Sequence, residues 1–179
     1  MHFNLDDAIP ILSRTPATLD TLLRGLPEVW IHNNEGESTW SPFDVLGHLI
    51  HGEETDWIPR LRIILEHGTS QTFEPFDRFA QEKNSVGKSL DDLLDEFVGL
   101  RAQNIEALRG FDLKPSDLEK EGVHPELGRV NVGHLLSTWV VHDLGHIAQV
   151  TRVMAKQYGD ETGPWFAYIG VLQPRTSGA

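Results

Sequence analysis

NVGHLLSTWVVHDLGHIAQVTRVMAKQY, residues 131–158, is the stretch of this sequence that decides the fold, because it is long, apolar-periodic and free of proline. Asn131 is a suitable N-cap and Gly159 a suitable stop, so the stretch predicts one long helix. His142 and His146 lie four residues apart within it. On a helix this spacing puts two side chains about 40° apart around the axis and about 6 Å apart along it. Both imidazoles therefore leave the same face, but two ligands do not make a metal site and a third is needed.

The segment WSPFDVLGHLI, residues 40–50, supplies the candidate third ligand, His48. Ser41 is interpreted as the N-cap of a second helix and Pro42 as its first residue. His48 then falls near the edge of an apolar helix face, where its side chain can point into a bundle. Taken alone, such a histidine is more often a core residue whose ring nitrogens are hydrogen-bonded.

Two further polar residues are candidates for supporting the three histidines. Asp44 lies one turn before His48 on the same helix face. It either accepts the second N–H of that imidazole or serves only as a first-turn partner of the helix dipole. Gln149 lies about one turn beyond His146 and is predicted to contact the site or the residues around it.

The other polar residues near the histidines have no assigned role. His51 and His134 lie on the same two predicted helices, and each is equally interpreted as an exposed or a core histidine. Glu53 and Glu54 are close enough in sequence to supply a base, but their angular offset from His48 favours solvent exposure. The pattern therefore leaves the catalytic residues unknown.

A zincin-like site is a weaker interpretation of the same residues. His142 to His146 match H-E-x2-H with Asp143 in place of glutamate. The shorter carboxylate weakens a general-base role, and Asp143 is expected to point away from a metal. Glu161, the only nearby downstream acid that could serve as the third ligand, follows the predicted helix end.

Composition predicts one compact domain over residues 1–179. Of these residues 39% are hydrophobic, and the chain contains no cysteine. Disulfides and thiolate ligands are therefore excluded, and a metal would be held by imidazole or carboxylate groups. The N-terminal residues lack a basic region, and no window approaches the roughly 20 apolar residues of a membrane span. We expect a cytoplasmic protein without a membrane partner.

The formal net charge is −12, from 27 acidic and 15 basic residues. Such a surface repels phosphate backbones, so we expect no nucleic-acid partner. Acidic pairs such as Asp6-Asp7, Glu53-Glu54 and Asp91-Asp92 are interpreted as solvated helix faces or first turns.

The apolar pattern predicts an all-α protein, an up-and-down bundle of four helices. These helices cover residues 4–24, 42–66, 89–110 and 131–158. Pro10 and the pair Thr15-Pro16 are expected to interrupt the first helix, and Pro59 to kink or divide the second. Ser89, with Asp92 three residues later, is expected to cap the third.

The segments between the helices are predicted to be connections. Residues 69–87 show no clear period and include one expected turn at 76–81, and residues 111–130 contain two turn signals. The aromatic, proline-containing stretch 160–179 is expected to form an extended tail.

Two short motifs resemble the DinB/YfiT-like family of proposed metalloenzymes. The W-S-P-x5-H-L motif is found at Trp40, Ser41, Pro42, His48 and Leu49, and the H-D-x2-H-x2-Q motif at His142, Asp143, His146 and Gln149. The resemblance covers nearly the whole chain, including the order of the helices. It implies a metal held by His48, His142 and His146, with water or substrate completing the shell.

The same resemblance implies an activity. Characterised relatives include enzymes that use low-molecular-weight thiols, so the implied function is a thiol-dependent S-transferase-like activity on a small-molecule substrate. Zinc or nickel is the expected metal, and a small thiol the co-substrate. A metal-dependent hydrolase and a non-catalytic metal-binding dimeric module are the alternatives. Relatives commonly pair, so we expect a homodimer, in line with five tryptophans and eight phenylalanines.

Overall fold

The structure is a computed structural model that describes residues 2–173, and it consists of helices and one small hairpin. The helices are α1 (Leu5–Leu23), α2 (Glu28–His32), α3 (Pro42–Thr55), α4 (Trp57–His67), α5 (Gln81–Asn84), α6 (Leu90–Gly110) and α7 (Val132–Lys156). The antiparallel strands are β1 (Glu121–His124) and β2 (Gly128–Asn131). The four predicted helices correspond to α1, to α3 with α4, to α6 and to α7. The expected all-α four-helix bundle is confirmed.

The packing partners explain how the distant histidine segments meet. α1 packs mainly against α6 and α7, and α3 packs against the same two helices. α3 and α7 are therefore direct neighbours, although α6 lies between them in sequence. No helix within residues 2–173 is long and apolar enough to cross a membrane.

The starts of three long helices form as predicted. Ser41 on α3 and Ser89 on α6 each form a capping box with the aspartate three residues later. Asn131 caps α7, and its side chain accepts a hydrogen bond from the backbone N–H of His134. Each cap satisfies a backbone donor at the first turn, which stabilises a helix by about 1 kcal/mol.

The expected interruption of the first helix is wrong, because α1 is continuous through both prolines. Pro16 has no N–H to bond the carbonyl of Leu12, four residues earlier. That carbonyl instead accepts a hydrogen bond of 2.7 Å from Nη1 of Arg101 on α6. The buried arginine thus replaces the helical bond that the proline removes.

Pro59 divides the second predicted helix rather than kinking it. The chain breaks at Asp56, with φ −106° and ψ −71°, and α4 begins at Trp57. Pro59 is then the third residue of a new helix, where a backbone N–H has no partner within the helix.

The segment 111–130 was expected to be only a connection, but it contains the β1–β2 hairpin. The strands have four residues each, too few for a clear alternating pattern. The hairpin lies close against α4: a Cβ on Gly122 would lie 2.7 Å from Cγ1 of Ile64 and 3.1 Å from the ring of Phe73. Glycine is therefore required for this approach.

The expected extended tail is also wrong where the structure describes it. Asp160–Tyr168 and Gly170–Leu172 form 3₁₀ turns, and Leu172 is buried. The 3₁₀ turn that contains Leu172 packs against α7. Burial of Leu172 in this contact stabilises the compact turns relative to an extended chain. Residues 174–179 of the predicted tail lie outside the described residues.

Candidate metal centre

The three predicted ligands come together between α3 and α7. Nε2 of His142 lies 3.1 Å from Nε2 of His48 and 3.1 Å from Nε2 of His146. One ligand atom from each imidazole lies within 4.8 Å of the others. On a tetrahedral zinc ion with Zn–N bonds of about 2.0–2.1 Å, neighbouring nitrogens are about 3.3 Å apart. The imidazoles therefore have the spacing that one small cation requires.

Hydrogen bonding between the rings does not account for this arrangement. Oε1 of Gln149 lies 2.9 Å from Nδ1 of His146, so Nδ1 carries the proton and Nε2 presents a lone pair. Nε2 of His142 faces two other nitrogens but carries at most one proton. One linear hydrogen bond can therefore serve only one of the two contacts, whereas a cation accepts a lone pair from all three rings.

Burial keeps the three imidazoles neutral. It lowers the pKa of His48 and of His142 to about 3, and the positive charge that His146 would carry adds to the shift in both. The pKa of His146 is also lowered by burial, although its bond to Gln149 opposes the shift. Because only the neutral ring offers a lone pair to a metal, all three are competent ligands at neutral pH.

Aromatic side chains enclose the imidazoles. The ring centroids of Trp40 and His48 are 4.7 Å apart, and Phe76 meets His48 edge-on at 5.4 Å. Trp57 meets His142 edge-on at 5.2 Å. The Nδ1 atoms of His48 and His142 are buried among these rings and have no hydrogen-bond partner in the described part of the chain. The aromatic walls hold the rings in place and desolvate them.

The three histidines lie on the wall of a cavity of about 470 Å³. One wall is formed by α3 and α4 and the opposite wall by α7. The connection after α4 and the β1–β2 hairpin supply the rest of the lining, including Phe73, Phe76, His124, Leu127 and Val130. The lining is largely apolar, which suits a small-molecule site.

A second buried polar cluster, centred on Arg101 of α6, lies beside the histidines and was missed from sequence. Arg101 donates to both oxygens of Glu53, at 2.8 and 3.0 Å, and to both oxygens of Asp143, at 2.6 and 3.0 Å. Glu53 also accepts hydrogen bonds from Trp139 and Asn104. Burial disfavours the guanidinium charge, but Glu53 and Asp143 outweigh it and raise the pKa of Arg101 above its ordinary value.

This Arg101 cluster corrects one expectation and confirms another. Glu53 was expected to face solvent and is 2% exposed, whereas Glu54 is exposed as predicted. Asp143 points away from the imidazoles, as expected, and into the core. Both of its oxygens accept hydrogen bonds from Arg101, so it is not available as the general base of a zincin-like site. A sequence signal existed: Arg101 lies four residues from Phe97 and four from Ile105, in the middle of an apolar stripe.

The alternatives for the supporting residues are now resolved. Oδ2 of Asp44 accepts hydrogen bonds from the backbone N–H and the hydroxyl of Ser41, at 2.9 and 2.7 Å, so Asp44 caps the helix. Nδ1 of His48 has no hydrogen-bond partner among the described residues, so Asp44 does not accept a hydrogen bond from it in this structure. Gln149 contacts His146 as predicted. His51 is partly buried against Phe76.

The fold and the site define a class: a helical-bundle protein with a three-histidine cluster on the wall of an apolar cavity. The family described as the DinB superfamily matches residues 11–150, and the chain belongs to this superfamily. It is similar to the solved structure of YfiT from Bacillus subtilis, described as a probable metal-dependent hydrolase with an unusual four-helix bundle topology. The TM-score is 0.74 and the identity 22%, over 86% of this chain and 87% of that chain. No curated protein matches this chain.

Proposed function

We propose that this protein is a metal-dependent enzyme in which His48, His142 and His146 hold a divalent cation, zinc or nickel. The observation that carries the proposal is the convergence of three neutral imidazoles: Nε2 of His142 lies 3.1 Å from Nε2 of each of the other two, and no hydrogen-bonding pattern satisfies both contacts. Nitrogen ligands suit late first-row divalent ions. Three protein ligands leave a coordination position open, as catalytic sites do.

We infer that the activity is S-transferase-like, with a low-molecular-weight thiol as co-substrate. A divalent cation held by His48, His142 and His146 would supply Lewis acidity, which would lower the pKa of a thiol bound to it so that water could take up the proton. The nearby carboxylates of Glu53 and Asp143 are both bonded to Arg101 and are not available as bases. The chain has no cysteine, so the sulfur must come from a small molecule.

Metal-dependent hydrolysis is the second candidate, and one observation favours it. The fold resembles that of YfiT, which is described as a probable metal-dependent hydrolase.

Cobalt substitution separates these functions. When 2-mercaptoethanol is added to the cobalt-loaded protein, we expect a sulfur-to-cobalt charge-transfer band, because the open position admits sulfur. Thiol consumption with a panel of electrophiles then measures the transferase activity. An unchanged spectrum at saturating thiol, together with ester or amide cleavage, would favour the hydrolase. An unchanged spectrum without either activity would favour a non-catalytic metal-binding module.

We also propose that the protein forms a homodimer. Among the described residues, Trp165 is 71% exposed and Tyr168 is 88% exposed, and both lie in the C-terminal 3₁₀ segment. Clustered exposed aromatic side chains are typical of interfaces. Sedimentation at micromolar concentration should give twice the chain mass of 20.1 kDa. A species at the chain mass throughout would contradict the dimer, and a metal-to-chain ratio of one half would contradict independent sites.

A further inference from the structure

The cavity extends well beyond the three imidazoles. His134, Thr138 and His142 follow one another at four-residue spacing on α7, and all three line the cavity. His48 and Asp56 line it eight residues apart on the opposite wall. Eight residues at 1.5 Å each correspond to about 12 Å along a helix. The cavity therefore has a second end, about 12 Å from the imidazoles, where α4, α7 and the hairpin meet.

At this second end, His124 has a defined tautomer. Its Nδ1 accepts hydrogen bonds from the backbone N–H groups of Glu126 and Leu127, at 3.1 and 3.2 Å. The proton must therefore be on Nε2. Burial, with the nearby charge of Arg60, holds the pKa of His124 below its ordinary value, so the ring is neutral at pH 7. His124 thus presents an N–H donor on the cavity wall.

Two other groups at this end also present donors. Nδ1 of His134 accepts a hydrogen bond of 3.3 Å from the backbone N–H of Asn131, which leaves the proton on Nε2. Arg60 is only 7% exposed. Its Nε lies 2.6 Å from Oδ1 of Asp56, and its Nη2 donates to the carbonyl of Glu74 at 3.3 Å. Nη1 of Arg60 bonds no residue within 2–173, although the side chain lines the cavity.

We propose that Arg60, His124 and His134 form a subsite that binds a carboxylate group of the substrate, about 12 Å from the metal centre. This inference rests on the proposed function, because it assigns the substrate class of the same cavity. Asp56 offsets the charge of Arg60, so recognition depends on hydrogen bonds rather than on net charge. Nη1 of Arg60 and the Nε2–H groups of His124 and His134 are donors with no partner within residues 2–173, and a carboxylate, which is acceptor-only, suits all three.

The walls between the two ends specify the rest of the substrate. Trp57, Phe73 and Leu135 line the cavity along this length and are buried. They suit an apolar spacer between the carboxylate and the reacting group. An extended chain advances about 1.2 Å per bond, so a span of about 12 Å corresponds to about ten bonds. Because the side chains of the subsite reach into the cavity, about eight to ten bonds between the carboxylate and the reacting group are sufficient.

A series of hydroxamates tests the subsite, because the hydroxamate group binds a metal whatever the natural reaction is. The zinc-loaded protein is titrated calorimetrically with compounds that carry a carboxylate, a primary amide or a methyl group at the far end of an alkyl spacer. We expect the carboxylate compound of matching length to bind at least tenfold more tightly than the methyl compound. Shorter spacers should lose this gain. An amide compound that binds as tightly as the carboxylate would overturn the assignment of the ligand.

The variant His124→Asn tests the contribution of the Nε2–H donor of His124. The asparagine oxygen can still accept from the Glu126 and Leu127 N–H groups, but the Nε2 donor is lost. We expect the ratio of the affinity for the carboxylate compound to that for the methyl compound to fall at least fivefold. The affinity for acetohydroxamate should stay unchanged. His67→Asn, at the exposed end of α4, is the matched control and should retain the full gain. A full gain in His124→Asn would overturn the proposal.

A failure of the metal centre gives a different result. If acetohydroxamate does not bind at all, the proposed metal-dependent function is wrong. The subsite is then judged by titrating the metal-free protein with octanoate and following the NMR signal of His124 Nε2. A saturable shift that His134→Asn weakens would support the subsite, and the absence of a shift would overturn it.

Discussion

The imidazole cluster and the Arg101 cluster are neighbours with opposite characters. His142 and Asp143 are adjacent in sequence, yet the first joins a group of nitrogens that hydrogen bonds cannot satisfy, and the second joins a network in which the carboxylates and the guanidinium are paired. Both clusters join α3 to α7, but the Arg101 cluster also includes α6 and is fully buried, whereas His142 and His146 are only partly buried. The comparison shows that matched donors and acceptors make a buried polar group structural, whereas unmatched ones make it available to a ligand.

The charges of the two clusters are complementary when a cation is bound. Glu53 and Asp143 contribute two negative charges and Arg101 one positive charge, so the Arg101 cluster has a formal charge of −1. Such a charge beside the imidazoles favours a cation there. The structural cluster therefore also supports the proposed metal centre.

Replacing Arg101 with methionine is expected to have the largest effect, because it removes the partner of both buried carboxylates. Two carboxylates would remain buried without a partner, and we expect a loss of about 3–5 kcal/mol in the free energy of unfolding. Urea unfolding of the metal-free protein measures it. The control Arg109→Met, exposed on the same helix, should change stability by no more than about 0.5 kcal/mol. A loss below about 1 kcal/mol for Arg101→Met would contradict the structural role.

Replacing His48 with alanine should affect metal binding rather than folding. Two remaining ligands cannot hold the ion well, so we expect zinc affinity to fall about 100- to 1,000-fold, or about 3–4 kcal/mol. Competition with a chromophoric chelator measures the affinity. His51→Ala, one turn away on the same helix, is the control and should bind normally. Full metal stoichiometry at unchanged affinity in His48→Ala would contradict the assignment of His48, and with it α3, to the metal site.

The imidazoles also make metal-free stability depend on pH. The pKa of His48 and of His142 is about 3 in the folded protein and about 6.5 in the unfolded chain. Between these values the unfolded state binds more protons, so stability is complete above about pH 6.5 and falls as the pH is lowered toward 3. At pH 5 the expected loss is about 2 kcal/mol for each residue.

Urea unfolding at pH 7.5 and pH 5 measures this loss. In a variant with alanine at both positions, most of the difference should disappear. The interpretation fails if that variant loses as much stability as the parent protein over the same interval.

Gln149→Leu tests the smallest of these effects. Gln149 fixes the tautomer and orientation of His146, and we expect zinc to bind about tenfold more weakly without it. Gln103→Leu, at an exposed position on α6, is the control. An unchanged affinity in Gln149→Leu would show that packing alone orients His146.

Local rules in the sequence were sufficient for the starts of α6 and α7 and for two of the three histidines of the imidazole cluster. The caps at Ser89 and Asn131 depend on residues three positions apart, and the shared face of His142 and His146 depends on helical spacing. His48 was placed correctly near the edge of an apolar face, with the family resemblance supporting it. These features need no knowledge of distant segments.

Tertiary structure alone decided the features that depend on a partner far along the chain. Glu53 and Glu54 are chemically alike and adjacent, and only the position of Arg101, 48 residues after Glu53, makes one buried and leaves the other in solvent. Pro16 lies within a continuous helix because the same arginine bonds the carbonyl of Leu12. The physical reason is common to these cases: the cost of burying a polar group is set by the hydrogen bonds it makes after folding, and those partners are not encoded nearby in the chain.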